Sequence, residues 1–439
     1  MLGYAKEQKN LRKEQKEAIG LLSVGTFLEY FDLMLYVHMA VLLNELFFPK
    51  QNQSATYLLS AFAFCSTFAF RSIGALVFGW IGDKIGRKTT VVMTSFLMAL
   101  SCFLMFILPT YAEIGFTAAV IVTICRALQG MSSLGEIIGA ELYLTELTKP
   151  PIQYPVVASC DIFGNLGAAA ALGVATLVTM QGFNWRYAFL FGTIIAVIGA
   201  IARTRLRETV EFVDATKRLV NKIENFGLNK SDIETNINLN DKLNIKTLLA
   251  YFTIESTGPI CFYFKYILCG DILKTHFAYT SSQVITHNFI VSIITLINSG
   301  IVTYLSYKFH PLKILRIRWV IFACMVLFYP YLLIKMDNVF QLLILQVLIG
   351  MFAIRVFPAA PIFYKNFPVF KRFRCVSLTF AIVRAIMFVL TSFGLVYLVK
   401  IFNYWGILIL LIPFTIFYKI GLNYFEKLEF KKDTNLVIN

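Results

Sequence analysis

Residues 79–88 read Gly-Trp-Ile-Gly-Asp-Lys-Ile-Gly-Arg-Lys and form a short polar stretch between two long apolar ones. Both apolar flanks, residues 58–78 and 89–108, are long enough to cross a bilayer, which takes about 20 apolar residues. Because a charged turn is not stable in the hydrocarbon layer, this stretch is predicted to lie at a membrane face. It carries three cations and one anion, and this excess of cations indicates the cytoplasmic face.

The composition of the whole chain is also typical of a membrane protein. Of the 439 residues, 58% are hydrophobic and only 15% are charged, whereas about 25% are charged in a soluble domain. Apolar runs give twelve candidate spans, centred near residues 33, 68, 99, 129, 167, 195, 260, 294, 326, 352, 387 and 413. Twelve helices of about 20 residues use up the whole length. We therefore predict an all-α integral membrane protein without a separate soluble domain.

The net charge of +15 is explained by where the charges lie and not by nucleic-acid binding. Most of the 40 Lys and Arg residues lie before the first span, in the even-numbered turns or in the C-terminal tail. The opposite loops hold Lys50, Arg186, Lys274, Lys335 and Lys400. This bias predicts that both termini are cytoplasmic. Residues 1–18 lack a cleavage-site pattern, so we expect the first span to be retained.

A polar segment after the sixth span divides the spans into two sets of six. We predict an N-terminal six-helix lobe with a short cytoplasmic N-terminus at 1–202, and a cytoplasmic linker at 203–246. A C-terminal six-helix lobe is predicted at 247–424 and a cytoplasmic tail at 425–439. With this division, a substrate site is expected near the bilayer midplane, between the two lobes.

The pattern G-x-x-x-D-[RK]-x-G-R-[RK] in residues 79–88 resembles the signature loop between helices 2 and 3 of the major facilitator superfamily. Its six defining positions in this chain are Gly79, Asp83, Lys84, Gly86, Arg87 and Lys88. Within the superfamily, segments 25–49, 71–79, 126–136 and 185–212 resemble the metabolite:proton symporter family, to which the proline/betaine transporters belong. The resemblance implies a multi-pass secondary transporter of the cell inner (plasma) membrane, with twelve transmembrane helices in two six-helix lobes (the major facilitator fold).

The second half resembles that family less closely. The loop at 305–313 corresponds to the signature loop and keeps its cations, but it lacks the aspartate and the glycines. Lys149-Pro150-Pro151 stands where family members usually carry an arginine-glycine pair. The N-terminal lobe is therefore expected to carry the gate, and a decayed function of the C-terminal lobe is an open alternative.

Ionisable residues inside spans are functional candidates, because each costs at least about 2.5 to 3.5 kcal/mol at the membrane centre. In the first span, Glu29 and Asp32 lie three residues apart on one helical face, which Tyr36 extends. Asp32 is about 13 residues from the start of its span and therefore near the midplane. A carboxylate there binds a proton unless a cation pairs with it. Glu29 and Asp32 are therefore predicted to couple transport to protons, and a static buried ion pair is the alternative.

Arg126 in the fourth span is the predicted partner of Asp32. Arg126, Gln129, Ser133 and Glu136 follow one another at helical spacing and form a polar stripe about 80° wide. We predict that this stripe lines the substrate cavity, with Arg126 and Glu136 in proton coupling. Gln129 and Ser133 are predicted substrate contacts. Protonation of Asp32 would release Arg126 for a substrate carboxylate.

The spans of the second half contain the further candidates Glu255, Lys265, Arg355 and Arg384. Tyr263 and Tyr266 lie beside Lys265, and an aromatic face can hold a quaternary ammonium group. Together with Tyr36 they are predicted substrate contacts. Ordinary packing is the alternative in a chain with 21 Tyr and 42 Phe. Arg71 in the second span either faces the cavity or extends to the membrane surface.

The signature loop is predicted to act as a cytoplasmic gate. The Asp83 carboxylate can accept backbone N–H groups at the N-terminus of a facing helix, and the family pattern suggests the eleventh span, starting near Phe373. Arg87 can pair with Glu146 at the end of the fourth span. Such contacts would hold this face closed and break when the lobes move. The predicted gate comprises the six positions of the signature loop and Glu146.

Nucleotide-binding loops, hydrolase elbows and metal-ligand spacings are missing from the sequence, so we expect neither enzyme activity nor a cofactor or metal. The eight cysteines form no CxxC pair. The leading prediction is a monomeric, proton-coupled symporter of proline or betaine. A dicarboxylate or other small metabolite is the alternative substrate, and a non-transporting sensor or decayed paralogue is an alternative of a different class. The predicted partners are a small zwitterion or carboxylate, protons and the lipid bilayer, with no nucleic acid.

Overall fold

The computed structural model describes residues 7–47, 70–181, 184–225 and 243–438. The first part of the chain consists of helices joined by short turns, with an isolated bridge between Gln8 and Pro151. Its helices are α1 (Lys13–Phe47), α2 (70–84), α3 (Arg87–Ile107), α4 (Phe116–Leu147), α5 (Gln153–Gln181), α6 (Arg186–Arg203) and α7 (Val210–Asn225). A single turn, Tyr111–Ile114, precedes α4.

The second part is also helical. Its helices are α8 (Ile245–Phe262), α9 (Ser281–Lys308), α10 (Pro311–Ile334), α11 (Val339–Phe352), α12 (Ala360–Tyr364), α13 (Val369–Val389) and α14 (Gly406–Ile438). The helix α8 continues through a π-helical turn, Tyr263–Leu268, into Cys269–Thr275, and α13 continues in the same way through Leu390–Leu395 into Val396–Phe402.

Eight helical segments among the described residues are individually long and apolar enough to cross a membrane. The last of them, Val369–Lys431, contains two crossings, because the chain turns at Asn403–Trp405 between α13 and α14. The remaining crossings are α8, the interrupted pair α11–α12, and α2, whose start lies outside the described residues. The predicted fold class, an all-α membrane protein, is confirmed.

The helix α6 shows how a span separates lipid from protein. Its buried face carries small residues, which allow close packing against α3. These are Ala188, Gly192, Ala196, Gly199 and Ala200. Its outward face carries large apolar side chains at helical spacing, as expected for contact with lipid. These are Tyr187, Phe191, Ile194, Ile198 and Ile201.

The helices form two lobes, α1–α6 and α8–α14. In the first lobe α1 packs on α5, and α3 packs on α4 and α6. In the second lobe α8 packs on α14 and α13. The lobes meet along α5 and α9, and α7 lies within the predicted linker. The predicted boundaries between lobes, linker and tail remain a prediction, and α14 continues to Ile438 through residues 425–438.

The crossing formed by α11 and α12 is interrupted between Phe352 and Ala360, in the middle of the second lobe. Backbone carbonyls that lose their helical partners inside a membrane need other donors. The Arg318 guanidinium donates to the carbonyls of Met351 (3.0 Å) and Ala353 (2.7 Å). Thr257 donates to the Ile354 carbonyl at 2.9 Å, and Tyr418 donates to the Arg355 carbonyl, also at 2.9 Å. The break is therefore built into the fold, and it brings Arg355 to the lobe interface.

Candidate functional site

A cavity of about 130 Å³ lies between the lobes, which is about ten times the space that one water molecule needs. Both lobes contribute polar side chains to its wall. The first lobe supplies Tyr30, Arg71, Glu141, Asp161 and Asn165, and the second supplies Glu255, Lys265, Tyr266, Arg355, Tyr364 and Arg384. Apolar side chains fill the remaining wall, among them Leu33, Met34, Phe262, Phe357, Phe380 and Phe388. The lining thus combines apolar side chains with convergent polar and charged groups, as small-molecule sites do.

Two ion pairs border the cavity, and one of them joins the lobes. Arg355 from the break in the second lobe lies 3.3 Å from the Asp161 carboxylate on α5. Ser299 on α9 donates to the same carboxylate at 2.7 Å. Arg384 on α13 lies 3.3 Å from Glu255 on α8. These pairs place charge inside the membrane while each cation stays compensated by an acid.

Lys265 lies in the π-helical turn after α8 and is only 2% exposed. Its ammonium lies 3.5 Å from the Thr295 hydroxyl and 4.2 Å from the centre of the Tyr266 ring. Among the residues that the structure describes, no carboxylate forms an ion pair with it. The cavity therefore contains a cation that a bound anion could compensate, and the Tyr266 ring face is already occupied by this ammonium.

Glu141 on α4 is the acidic counterpart of Lys265. Its side chain is 3% exposed and borders the cavity. Its carboxylate accepts a hydrogen bond from the Tyr364 hydroxyl of the second lobe. Within the described ranges of the chain, no cation is paired with it. A carboxylate in this position is stabilised by a single hydroxyl and not by an opposite charge.

Asp32, Arg126 and Gln129 form a compact buried cluster inside the first lobe. The Arg126 guanidinium lies 3.3 Å from one Asp32 oxygen, and the Gln129 amide donates to the other at 2.9 Å. Arg126 also donates to the Gln129 oxygen at 2.6 Å. The predicted partner of Asp32 is therefore in contact with it. The cluster lies outside the cavity wall, which α1 lines with Tyr30, Leu33 and Met34 instead.

Glu29 has a different partner from Asp32. Its carboxylate lies 2.5 Å from the Arg71 guanidinium on α2, and both side chains are buried. Arg71 also borders the cavity. Of the two predicted positions for its side chain, the cavity and the membrane surface, the structure shows the cavity. The first span thus holds two separate buried ion pairs, to α2 and to α4.

Several predicted substrate contacts lie elsewhere in the molecule. Ser133 is fully buried and donates to the carbonyl of Gly130 in its own helix. Tyr263 packs in the core of the second lobe, and Gln129 belongs to the Asp32 cluster. Tyr266 alone of these residues borders the cavity. The side chains of Tyr36 and Glu136 lie outside the described part of the structure.

The face that carries residues 79–88, here named the signature face, is closed by contacts between the lobes. The Asp83 carboxylate accepts the backbone N–H groups of Phe373 and Arg374 in α13, each at 3.0 Å. This is the contact that the sequence predicted. The close approach depends on small residues, since a side chain at Gly82 would lie 2.6 Å from the Phe373 ring.

A second set of contacts on the signature face centres on Glu146, at the end of α4. Arg87 binds its two oxygens at 3.1 and 3.2 Å, which is the predicted pair in a two-pronged geometry. From the second lobe, Arg372 lies 2.9 Å from Glu146 and 2.8 Å from Glu211 on α7. Arg87 also donates to the Val369 carbonyl at 2.7 Å. One buried carboxylate thus connects both lobes.

The remaining signature residues shape the turn. At Gly86 the backbone has φ of +141°, and a side chain would overlap the Glu208 carboxylate. That carboxylate accepts the N–H groups of Arg87 (3.0 Å) and Lys88 (3.2 Å) at the start of α3. Lys84 lies over the Trp80 ring, 5.0 Å from its centre. These contacts join residues of the first lobe to one another and to the segment that follows α6.

A lysine of the second lobe also contacts α7 on this face. Lys365, in the turn between α12 and α13, lies 3.8 Å from Glu211. Burial lowers the pKa of its ammonium, and the Glu211 carboxylate opposes this effect. The pair is weaker than the Arg372 contacts because of its longer distance.

Sequence reasoning missed the contacts of several charged residues that the structure places between the lobes or beside them. Glu141 and Asp161 lie in apolar runs and border the cavity, so the rule that singled out Asp32 applies to them as well. Arg372 and Glu211 lie in polar segments, where a charge is unremarkable. Their contacts with each other and with Glu146 become visible only when the helices are packed together.

The comparison with protein families agrees with this architecture. The model of the Major Facilitator Superfamily matches residues 22–368. The chain belongs to this superfamily. This assignment supports the prediction of a membrane transporter rather than an enzyme.

Curated superfamily members match part of the chain. A proline/betaine transporter of Salmonella typhimurium is 31% identical over 212 residues, which is 46% of this chain and 42% of that protein. A citrate-proton symporter of Klebsiella pneumoniae is 35% identical over 202 residues, 44% of this chain and 46% of that protein. The chain spans less than half the length of each of these relatives.

Solved structures of the superfamily share the fold over nearly the whole chain. The MFS proton:xylose symporter XylE bound to 6-bromo-6-deoxy-D-glucose has a TM-score of 0.73 at 15% identity, covering 94% of this chain and 95% of that one. The human organic anion transporter MFSD10 has a TM-score of 0.65 at 13% identity, with coverage of 94% and 100%. At this level of identity the likeness establishes the fold alone.

Proposed function

We propose that this member of the superfamily is a proton-coupled symporter that accumulates a small solute bearing a carboxylate. Its site is the cavity between the lobes, and it works by alternating access. The observation that carries the proposal is Lys265, a buried ammonium on the cavity wall without an acidic partner in the described residues. Since an uncompensated charge is costly in a membrane, a solute carboxylate would stabilise this site.

The charge balance of the cavity favours a zwitterion such as proline or betaine. Apart from Arg71, which is paired with Glu29, the wall holds the cations Lys265, Arg355 and Arg384 and the acids Glu141, Asp161 and Glu255. While Glu141 is ionised, the two signs are equal in number, which suits a solute that carries one charge of each sign. One of the relatives is named as a proline/betaine transporter, and this name supports the same choice of solute.

A dicarboxylate or tricarboxylate is the second candidate substrate. The citrate-proton symporter is at least as similar to the chain, and Arg355 and Arg384 could each exchange an acidic partner for a solute carboxylate. The balanced wall makes this exchange less favourable, because it would leave Asp161 or Glu255 without a cation.

Proton coupling is assigned to the buried pairs of the first lobe. A proton on Asp32 removes the charge that holds Arg126, which changes the contact between α1 and α4 without involving the cavity wall. Glu29 and Arg71 connect the same helix to the cavity. In this proposal Arg126 acts on helix packing, and Lys265 takes over the contact with the solute carboxylate.

The signature face is the proposed cytoplasmic gate. Asp83, Glu146 and Arg372 hold the lobes together there, so the described conformation is closed on that side. In the proposed cycle these contacts break as the lobes rock and the cavity opens to the cytoplasm. Both termini would then be cytoplasmic, in a monomer located in the cell inner (plasma) membrane.

Uptake by purified protein in liposomes tests the proposal. Labelled proline, betaine, choline, citrate and succinate would each be offered with and without an imposed proton gradient. We expect gradient-driven accumulation of a carboxylate-bearing solute and little competition by choline, which resembles betaine but lacks the carboxylate. A wild-type protein that accumulates none of these solutes would favour the sensor or decayed-paralogue alternative.

The Lys265→Met variant tests the site itself. We expect the Kd for the solute to rise about 30-fold or more, which corresponds to about 2 kcal/mol for a lost buried charge contact. Lys308→Met is a matched control, since Lys308 also lies over a tyrosine ring (Tyr304, 4.8 Å) but outside the cavity. Equal Kd values for Lys265→Met and wild type would remove Lys265 from the site.

A further inference from the structure

Glu141 lies between the cavity and the gate. It comes five residues before Glu146 on α4, which places it about 7.5 Å deeper along the helix at about 1.5 Å per residue. Its carboxylate borders the cavity and accepts a hydrogen bond from Tyr364. Because α4 and α12 belong to different lobes, this hydrogen bond joins the lobes in the closed conformation.

Among the described residues, the cation whose charge acts on Glu141 already has an acidic partner. This cation is Arg384, which is paired with Glu255 at 3.3 Å. Arg355 is likewise paired with Asp161. The titratable and charged groups that face Glu141 are Tyr30 on α1, Cys160 and Asp161 on α5, Tyr251 and Glu255 on α8, Tyr364 on α12 and Arg384 on α13. Two of these groups are themselves acids, so they disfavour a second negative charge.

We propose that Glu141 is a second proton-binding site, which holds a proton while the signature face is closed and releases it when α4 and α12 separate. An ionised carboxylate at this position would have one hydroxyl donor, no cation and almost no water. Opening of the signature face removes Tyr364 and admits water, which then solvates the carboxylate. The proton passes from the Glu141 oxygen to this water.

This site would link proton release to the gate itself. Asp32 and its partners lie within the first lobe, so their contacts do not depend on the separation of the lobes. Glu141 contacts the second lobe directly. Closing the signature face with Glu141 ionised would bury an uncompensated charge, so closure and proton binding favour each other. The inference rests on the proposed proton-coupled function but can be measured without transport.

The test is the effect of pH on the lobe distance, in the absence of any solute. Spin labels are placed at Ile85 in the first lobe and Phe309 in the second, two exposed positions on the signature face. The distance between them, measured by pulsed electron paramagnetic resonance, reports the closed and open populations. In wild type we expect the closed fraction to fall as pH rises. In Glu141→Gln, whose amide stays neutral and still accepts from Tyr364, we expect this fall with rising pH to be lost. The gate acids Asp83, Glu146 and Glu211 remain in this variant, and they favour closure when they are ionised. A closed fraction of Glu141→Gln that still falls as pH rises would therefore overturn the proposal.

Tyr364→Phe provides a second variant with the carboxylate intact. The tyrosine hydroxyl stabilises the ionised form of Glu141, so its removal should shift the midpoint of the pH response upward. A midpoint equal to that of wild type would contradict the proposed site. If these pH responses occur as expected but wild-type liposomes show no proton-driven uptake, the proposed symport fails while the Glu141 site stands.

Discussion

The contact of Asp83 with α13 allows a quantitative test of the gate. Asp83→Asn removes the negative charge and one of the two acceptor oxygens but keeps the size of the side chain. The carboxylate accepts two N–H groups at 3.0 Å from the opposite lobe. A hydrogen bond to a charged acceptor contributes about 1.5 to 3 kcal/mol, and the charge near the helix N-terminus adds about 0.3 to 1 kcal/mol. The variant should therefore destabilise the closed signature face by about 2 to 4 kcal/mol.

A change of this size alters the ratio of closed to open molecules about 30- to 700-fold. The spin-label pair at Ile85 and Phe309 measures this ratio in lipid nanodiscs, after replacement of the accessible Cys324 and Cys375. We expect Asp83→Asn to add a longer distance to the distribution. Solute affinity should change little, because Asp83 does not border the cavity.

Glu426→Gln is the matched control for this experiment. Glu426 pairs with Arg316, and both residues belong to the second lobe near the same face. Loss of that pair removes a charge contact without affecting the closure of the lobes. If Asp83→Asn gives the wild-type distance distribution, or if Glu426→Gln changes it equally, the contact of Asp83 with α13 is not a gate.

Two further predictions concern proton coupling and the break in the second lobe. Asp32→Asn should abolish proton-driven accumulation in liposomes but retain exchange of labelled for unlabelled solute. Loss of both activities in a folded protein would favour the alternative that Asp32 and Arg126 form a static structural ion pair. Arg318→Met should lower the melting temperature, because the carbonyls of Met351 and Ala353 lose a charged donor, at a cost of about 2 to 5 kcal/mol. Arg316→Met, two residues away and half exposed, should change the melting temperature far less, and equal effects would contradict the capping role of Arg318.

The contacts of the proposed gate were largely predictable from the sequence, because their chemistry is local. The turn 79–88 contains its own glycines, its aspartate and its arginine, and the Arg87–Glu146 and Asp83–Phe373 contacts lie where the pattern placed them. What the pattern did not contain is the second lobe's contribution. Arg372 binds Glu146 from a segment more than two hundred residues away, and helical periodicity carries no information about that pairing.

The cavity wall was predicted less well, for a physical reason. A polar stripe such as Arg126, Gln129 and Ser133 shows that one helix face avoids lipid, but a buried cluster within a lobe satisfies that requirement as well as a cavity does. In this protein Asp32 provides the polar partner for two residues of the stripe, because it contacts both Arg126 and Gln129. The sequence gives the polarity of a face, and only the packing of the helices determines whether water or a neighbouring side chain meets it.

The second lobe keeps contacts to the cavity and to the first lobe although its loop 305–313 differs from the signature loop. It has lost the glycines and the aspartate of that loop, yet it supplies Lys265, Arg355 and Arg384 to the cavity. It also supplies the N–H groups that Asp83 accepts. An asymmetric pair of lobes is sufficient for a gate of this kind, because a single aspartate needs only backbone N–H groups as partners, and these do not depend on sequence. The altered second loop therefore lacks one of two possible contacts between the lobes, while the second lobe still lines the cavity. This argues against the interpretation that the second half is decayed.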